Sequence, residues 1–186
     1  MKQLDRYLRD VRIAKAGRFV EKGDVVVDVG CLDGTMFERW SETIEYSYGV
    51  DPTLAEKREE RGYVLYPGLF PAALPEGIEC DVITMLAVLE HVPKDAQDEL
   101  AAACERILRP GGRVVITVPS PQVDTILEVL SRLRVIDGMS LEEHYGFEPA
   151  DTERIFAPPA FRLAEKRRFQ LGLNNLFVFE KPAAAG

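Results

Sequence analysis

Residues 25–35 read Val25-Val26-Val27-Asp28-Val29-Gly30-Cys31-Leu32-Asp33-Gly34-Thr35. The first five are apolar but for one Asp, the pattern of a strand buried on both faces of a parallel sheet. Glycine at 30 and 34 lets the chain turn tightly and approach a ligand, with the next helix starting behind it. The stretch is not the dinucleotide fingerprint G-x-G-x-x-G, because position 32 is Leu and position 35 is Thr. It is not a phosphate-binding P-loop either, since no Gly-Lys-Ser/Thr follows.

Outward from this strand the chain alternates. Leu4, Tyr7, Leu8 and Val11 recur at helical spacing, which predicts a lead-in helix over 3–20. A helix is predicted over 34–44 and a second strand over 46–51, closed by Pro52. The charged run 53–61 reads as a surface helix and 63–66 as a third strand. A Pro-rich loop, 67–77, precedes a fourth strand at 81–86. The clearest helix is 94–108, with Leu100, Ala103, Cys104, Ile107 and Leu108 on one face and Pro110-Gly111-Gly112 ending it. A fifth strand follows at 113–118. Val123, Ile126, Leu127, Leu130 and Leu133 mark another helix, and 138–150 reads as a loop. Two extended runs, 161–170 and 174–180, predict a terminal hairpin with Asn174-Asn175 suited to its turn. Five βα units imply an α/β fold: a doubly wound, mostly parallel, seven-stranded sheet with an antiparallel C-terminal hairpin. Ligands bind such sheets at the carboxyl ends of the strands, where strand order reverses.

The chain has 186 residues, the length of one domain. Hydrophobic residues make up 46%, enough for a core without disulfides. Cys31, Cys80 and Cys104 are odd in number and widely spaced, which fits a reducing, cytoplasmic setting and neither a disulfide framework nor a zinc site. No apolar run has the length of a membrane helix, and the N-terminal stretch lacks the apolar core of a secretory signal. The net charge of −8 is uneven. Residues 1–22 carry seven positive and three negative groups, a net +4, and residues 161–186 a net +3. The middle, 23–160, carries −15, which disfavours a nucleic-acid partner. The basic ends are either solvated faces or contacts for an acidic group or a membrane surface.

Asp51 ends the second strand, 21 residues after Gly30. A carboxylate there can accept both hydrogens of a ribose diol, at the spacing found in nucleoside-binding folds. The same residue before Pro52 also suits a turn or helix cap, and residue type alone leaves both readings open.

Taken together, Asp28-x-Gly30-x-x-x-Gly34, Gly49-Val50-Asp51, Asp81-Val82-Ile83 with Leu89-Glu90-His91-Val92, and Leu108-Arg109-Pro110-Gly111-Gly112 resemble successive motifs of the class I S-adenosylmethionine-dependent methyltransferases. The resemblance is to the small-molecule, type-11/type-23-like branch and covers about residues 24–120 in order and spacing. It implies a Rossmann-like methyltransferase fold with S-adenosylmethionine as cofactor. Residues 1–22 would form an N-terminal helix, 23–118 the cofactor-binding core, 119–160 the substrate lid and 161–181 the hairpin. Gly30, Cys31 and Gly34 would pass under the cofactor's methionine part, Asp28 would receive its amino group and Asp51 would hold its ribose. Leu69 and Phe70 would flank adenine; Met85, Leu86 and Ala87 would line the far side of the methionine. The family commonly has Gly where Leu32 stands, so this side chain must point away from the cofactor or reshape the site.

Some quinone-type members of the family carry a metal-binding Glu three residues before the Glu90-His91 pair. Ala87 stands there, and one carboxylate with one imidazole is too small a donor set, so no metal is expected. The cofactor supplies the leaving group, and the protein must align an acceptor and take its proton. His91, His144 and Tyr145 are the candidate catalytic residues; Glu142 or Glu143 would orient His144. The expected activity is methyl transfer to an O or N atom of a small molecule. The alternative is a protein that binds S-adenosylmethionine or S-adenosylhomocysteine without transfer, a regulatory or inactive partner subunit. A homo-oligomer is neither required nor excluded.

Overall fold

The run at 25–29 forms β1, Val26–Val29, all four residues buried. The computed structural model describes residues 3–120 and 147–183. β1 pairs in parallel with β2, Ser47–Asp51, on one side and with β5, Cys80–Leu86, on the other. In register, Asp28 lies opposite Gly49 and Thr84. β2 pairs in parallel with β4, Tyr63–Pro67, and β5 with β6, Leu108–Pro119. The chain closes with β7, Arg162–Phe169, and β8, Asn174–Glu180. β8 inserts antiparallel between β6 and β7, as the two extended runs predicted. With β3, Arg58–Glu60, at the far edge, the order is β3-β4-β2-β1-β5-β6-β8-β7.

Helices cover both faces. α1, Gln3–Ala16, and α2, Thr35–Trp40, pack on one side. There Ile13, Ala16, Met36, Phe37 and Trp40 join Val26, Val82 and Val178 in one buried cluster. α3, Gln97–Ile107, and α4, Asp151–Ile155, lie on the other. Leu100, Cys104, Ile155 and Phe156 there meet Val27, Ile83, Phe177 and Phe179. Phe177 and Phe179 share that face, rings stacked at 6.2 Å, as strand alternation requires.

Five expectations are corrected. The run 53–61 is not a helix: Arg58–Glu60 is β3, antiparallel to β4, with Glu59 opposite Val64, and this added edge makes the sheet of the described residues eight-stranded rather than seven-stranded. A helix there has almost no apolar stripe to bury, whereas the Arg61-Gly62 turn, with Gly62 at φ +92°, pairs the segment with the open edge of β4. The connection from β4 to β5 carries turns and no helix, so fewer than five βα units are complete. Tyr7 is exposed; of the predicted stripe Val11 packs against the core, and α1 buries Ile13 and Ala16 beyond it. Asn174 and Asn175 are buried at the start of β8 rather than at the turn. Gln170 and Leu171, at φ +51° and +57°, and Gly172 make that turn. Asn175 Nδ2 instead donates to Ser120 Oγ at 2.9 Å, tying β8 to the end of β6. The helix predicted from Val123 to Leu133 lies outside the described residues.

Candidate functional site

Strand order turns back at β1 and β5: the chain runs outward from β1 through β2 to β4, then outward again from β5 to β6. Their carboxyl ends open a crevice there, the position where doubly wound sheets bind ligands. Two cavities lie in it and both are lined by Gly30. Gly30 has φ +78°, and a Cβ on it would stand 2.4 Å from Val88 Cγ2. Only glycine gives this turn and this clearance together.

The first cavity, about 250 Å³, sets charged groups among apolar walls and is the more polar of the two. Asp28, Cys31, Leu32 and Asp33 line it from β1 and its loop, Leu86 and Ala87 from the end of β5, and Arg9 and Arg12 from α1. Asp28 is buried and accepts a hydrogen bond from Thr84 Oγ1 at 2.6 Å. Burial pushes its carboxyl up to about 7, against the Thr84 hydrogen bond, and neighbouring Asp51 adds to the rise. Asp33 accepts from the Thr35 N–H and hydroxyl and from Arg9 Nη1 at 3.0 Å. Burial raises its carboxyl, but these partners outweigh it and hold the group below the usual carboxylate range. Cys31 is buried, and burial pushes its thiol up, so the sulfur is an apolar wall rather than a nucleophile.

The second cavity, about 420 Å³, is largely apolar. Val29, Gly30 and Val50 form its floor, with Leu69, Phe70, Val88, Val92 and His91 around it. Asp51 is buried at the end of β2, beside Val50 and Pro52 of this cavity. Its Oδ2 accepts from the Leu32 N–H at 2.8 Å; its Oδ1 accepts from the Thr53 N–H at 2.8 Å and hydroxyl at 2.6 Å. The turn reading of Asp51 is thus present in the structure. A carboxylate has about four acceptor positions, so one remains beside these three bonds.

Leu32 and Ala87, both lining the polar cavity, have φ of +49° and +63°. Left-handed backbone at residues with a Cβ costs on the order of 1 kcal/mol each and gathers where a site dictates the conformation. Leu32 is 42% exposed while lining this open cavity.

Of the predicted residues, Asp28, Gly30, Cys31, Leu86 and Ala87 meet in the polar cavity; Gly30, Leu69, Phe70 and His91 meet in the apolar one. Gly34 caps α2 at φ +82° beneath the loop. Met85 lines neither cavity. It alternates to the opposite face from Thr84 and Leu86 and is fully buried with Leu89 and Leu100. His144 and Tyr145 lie outside the described residues. Arg9 and Arg12 were missed by reading the sequence. Their signal was a basic pair three residues apart on α1, legible only once α1 is known to cross the loop. Among the described residues, no group of three or more His, Cys, Asp or Glu side chains could hold a metal ion.

Residues 2–156 match the family model of a methyltransferase domain. A ubiquinone biosynthesis O-methyltransferase of Methylococcus capsulatus is 30% identical over 190 residues, covering 88% of this chain and 79% of that protein. A second protein of that name, from Nitrosococcus oceani, is 28% identical, and the match covers 70% of this chain and 60% of its length. Among solved structures, the Burkholderia thailandensis 1,6-didemethyltoxoflavin-N1-methyltransferase, with bound 1,6-didemethyltoxoflavin and S-adenosylhomocysteine, superposes with a TM-score of 0.67 at 17% identity. That superposition covers 96% of this chain and 81% of the other.

Proposed function

We propose, for a chain that belongs to the S-adenosylmethionine-dependent methyltransferase family, that the methyl acceptor is an oxygen or nitrogen atom of a small molecule. The enzyme class and the cofactor follow from the family. The acceptor and the role of each site residue are our reading.

The observation that carries this reading is the pair of unlike cavities meeting at Gly30, with buried Asp51 beside them. A nucleoside amino acid has that polarity: a charged amino-acid end, a ribose and an apolar aromatic base. Asp28, already raised toward neutrality by burial, would take the ammonium and ionise beside it. Arg9 and Arg12 would face the carboxylate. Asp51 would use its remaining acceptor position on the ribose, and Leu69 and Phe70 would flank the base. When bound, S-adenosylmethionine supplies a methyl group activated on a sulfonium. The chain's own work is to hold the acceptor in line, exclude water and take the acceptor's proton. We assign the proton-taking role to His91 or His144, with Tyr145 orienting the acceptor from the 119–160 segment. We read the chain as one domain.

A small acceptor is supported by the acidic middle of the chain, which repels nucleic acid, and by the O-methyltransferase name of its relatives. Among the described residues, no helix is long and apolar enough to cross a membrane. The test is turnover: S-adenosylhomocysteine release is followed with panels of phenols, catechols and heteroaromatic amines, native against His91→Ala and His144→Ala. Acceptor-dependent release that falls at least tenfold in one histidine variant, with product affinity unchanged, supports the assignment. Tight product binding with no release across all panels sinks the small-molecule reading and favours binding without transfer.

A further inference from the structure

A third cavity lies away from the crevice, between the carboxyl end of α1 and the β7–β8 hairpin, with a volume of about 250 Å³. Lys15 and Arg18 line it from the α1 side, Arg167 and Arg168 from β7. The basic segments at the two ends of the chain therefore meet at one place on a protein whose middle carries −15. Strand alternation puts Glu165, Arg167 and Phe169 on one face of β7. That is the α1 face, because Phe169 and Leu176 share a buried cluster with Ile13 and Ala16. Glu165, the one carboxylate in the lining, is ion-paired to Arg167. By the same alternation Arg168 reaches the rim from the other face of β7, so the charges facing the cavity, Lys15, Arg18 and Arg167 against Glu165, leave a net +2.

Simpler functions account for part of this. Lys15 complements the negative end of the α1 dipole, and charges on β7 keep a bare sheet edge from pairing with other chains. Neither role calls for Arg18 and Arg167 to converge on one concavity from elements about 150 residues apart. Convergent cations in a cavity repel one another, and an anion removes that cost. Guanidinium forks match phosphate oxygens bidentately, and a net +2 matches the charge of a phosphate dianion. Phe19 adds an apolar surface to the lining, against which an ester group can rest.

We propose that this cavity is a phosphate site, taking the phosphate group of a small phosphate ester or of a phospholipid headgroup, separate from the crevice that holds Asp28 and Asp51. Inorganic phosphate and glycerol phosphate probe the soluble source by calorimetric titration. Vesicles of phosphatidylglycerol in phosphatidylcholine, against pure phosphatidylcholine, probe the lipid source by co-sedimentation. The variants are the double Arg18→Gln/Arg167→Gln and, as a control, exposed Arg61→Gln at the far edge of the sheet. S-adenosylhomocysteine binding of each variant reports that the fold is intact. Saturable phosphate binding that weakens at least tenfold in the double variant and holds in Arg61→Gln supports a soluble ligand. Capture by phosphatidylglycerol vesicles with the same variant pattern, in the absence of free-phosphate binding, supports a headgroup. Binding to neither probe, or binding that the double variant keeps or Arg61→Gln loses equally, overturns the site.

Discussion

The Leu32 N–H donates to Asp51 Oδ2 at 2.8 Å, which ties the loop after β1 to the end of β2. Asp51 also fastens the chain beyond β2 through Thr53. One carboxylate thus sets the shape of the crevice whether or not a ribose is bound.

Asp51→Ala and Asp51→Asn separate these two duties. Alanine strands the Leu32 and Thr53 donors, which costs about 1–3 kcal/mol in urea unfolding. Asparagine keeps one acceptor and loses less stability. Both should weaken S-adenosylhomocysteine at least tenfold if Asp51 holds the ribose. Native affinity in the Asn variant would refute that role and leave the structural one.

Leu32→Gly removes left-handed strain at φ +49° while keeping the N–H that Asp51 accepts. A gain of about 1 kcal/mol in stability is expected, with product affinity unchanged or tighter. A loss of stability would mean that the half-exposed Leu side chain packs against something that outweighs its backbone cost.

Asp28 makes stability depend on pH. Unfolded, its carboxyl ionises near 3.8; folded, burial holds the proton until about pH 7. The folded state binds the extra proton across that window, so the contribution of Asp28 to stability falls as pH rises from about 4 to 7. Asp28→Asn lacks this titration. Its stability relative to the native chain should rise across the window by on the order of 4 kcal/mol and level off above it. A difference that does not change with pH contradicts the shifted carboxyl.

Gly30→Ala places a methyl 2.4 Å from Val88 Cγ2 on a backbone with φ +78°. Collision and strain together should cost about 2–4 kcal/mol and abolish cofactor binding. Adding Val88→Ala relieves the collision and leaves the strain, so a double-mutant cycle should return part of the stability but not the whole. Full additivity of the two changes would show that they do not meet.

The parallel core was legible because its signals are local and its burial symmetric. Val25–Val29 could only be an interior strand, and Asp51 and Gly30 carry their spacing in the sequence. The 53–61 segment was misread because helix propensity and charge spacing are properties of that segment, while its pairing with Val64 is a property of the β4 edge. Asn174-Asn175 failed for a related reason: Asn suits a turn, yet here its side chain satisfies Ser120 across the sheet. Met85 alternates with Leu86 along β5 and so faces the core, while Leu86 and the Ala87 that follows the strand line the first cavity. The part of α1 in the site was invisible because helix periodicity says which face is apolar and nothing about what the other face crosses.

The place of β8 has a consequence for biosynthesis. It is later in the chain than both β6 and β7, yet it lies between them. A nascent chain that has emerged only to residue 173 carries β6 with an open edge and β7 with nothing to pair against. The sheet therefore closes only after residues 174–180 have left the ribosome, and until then the bare edge of β6 is the surface that chaperones must shield from neighbouring chains.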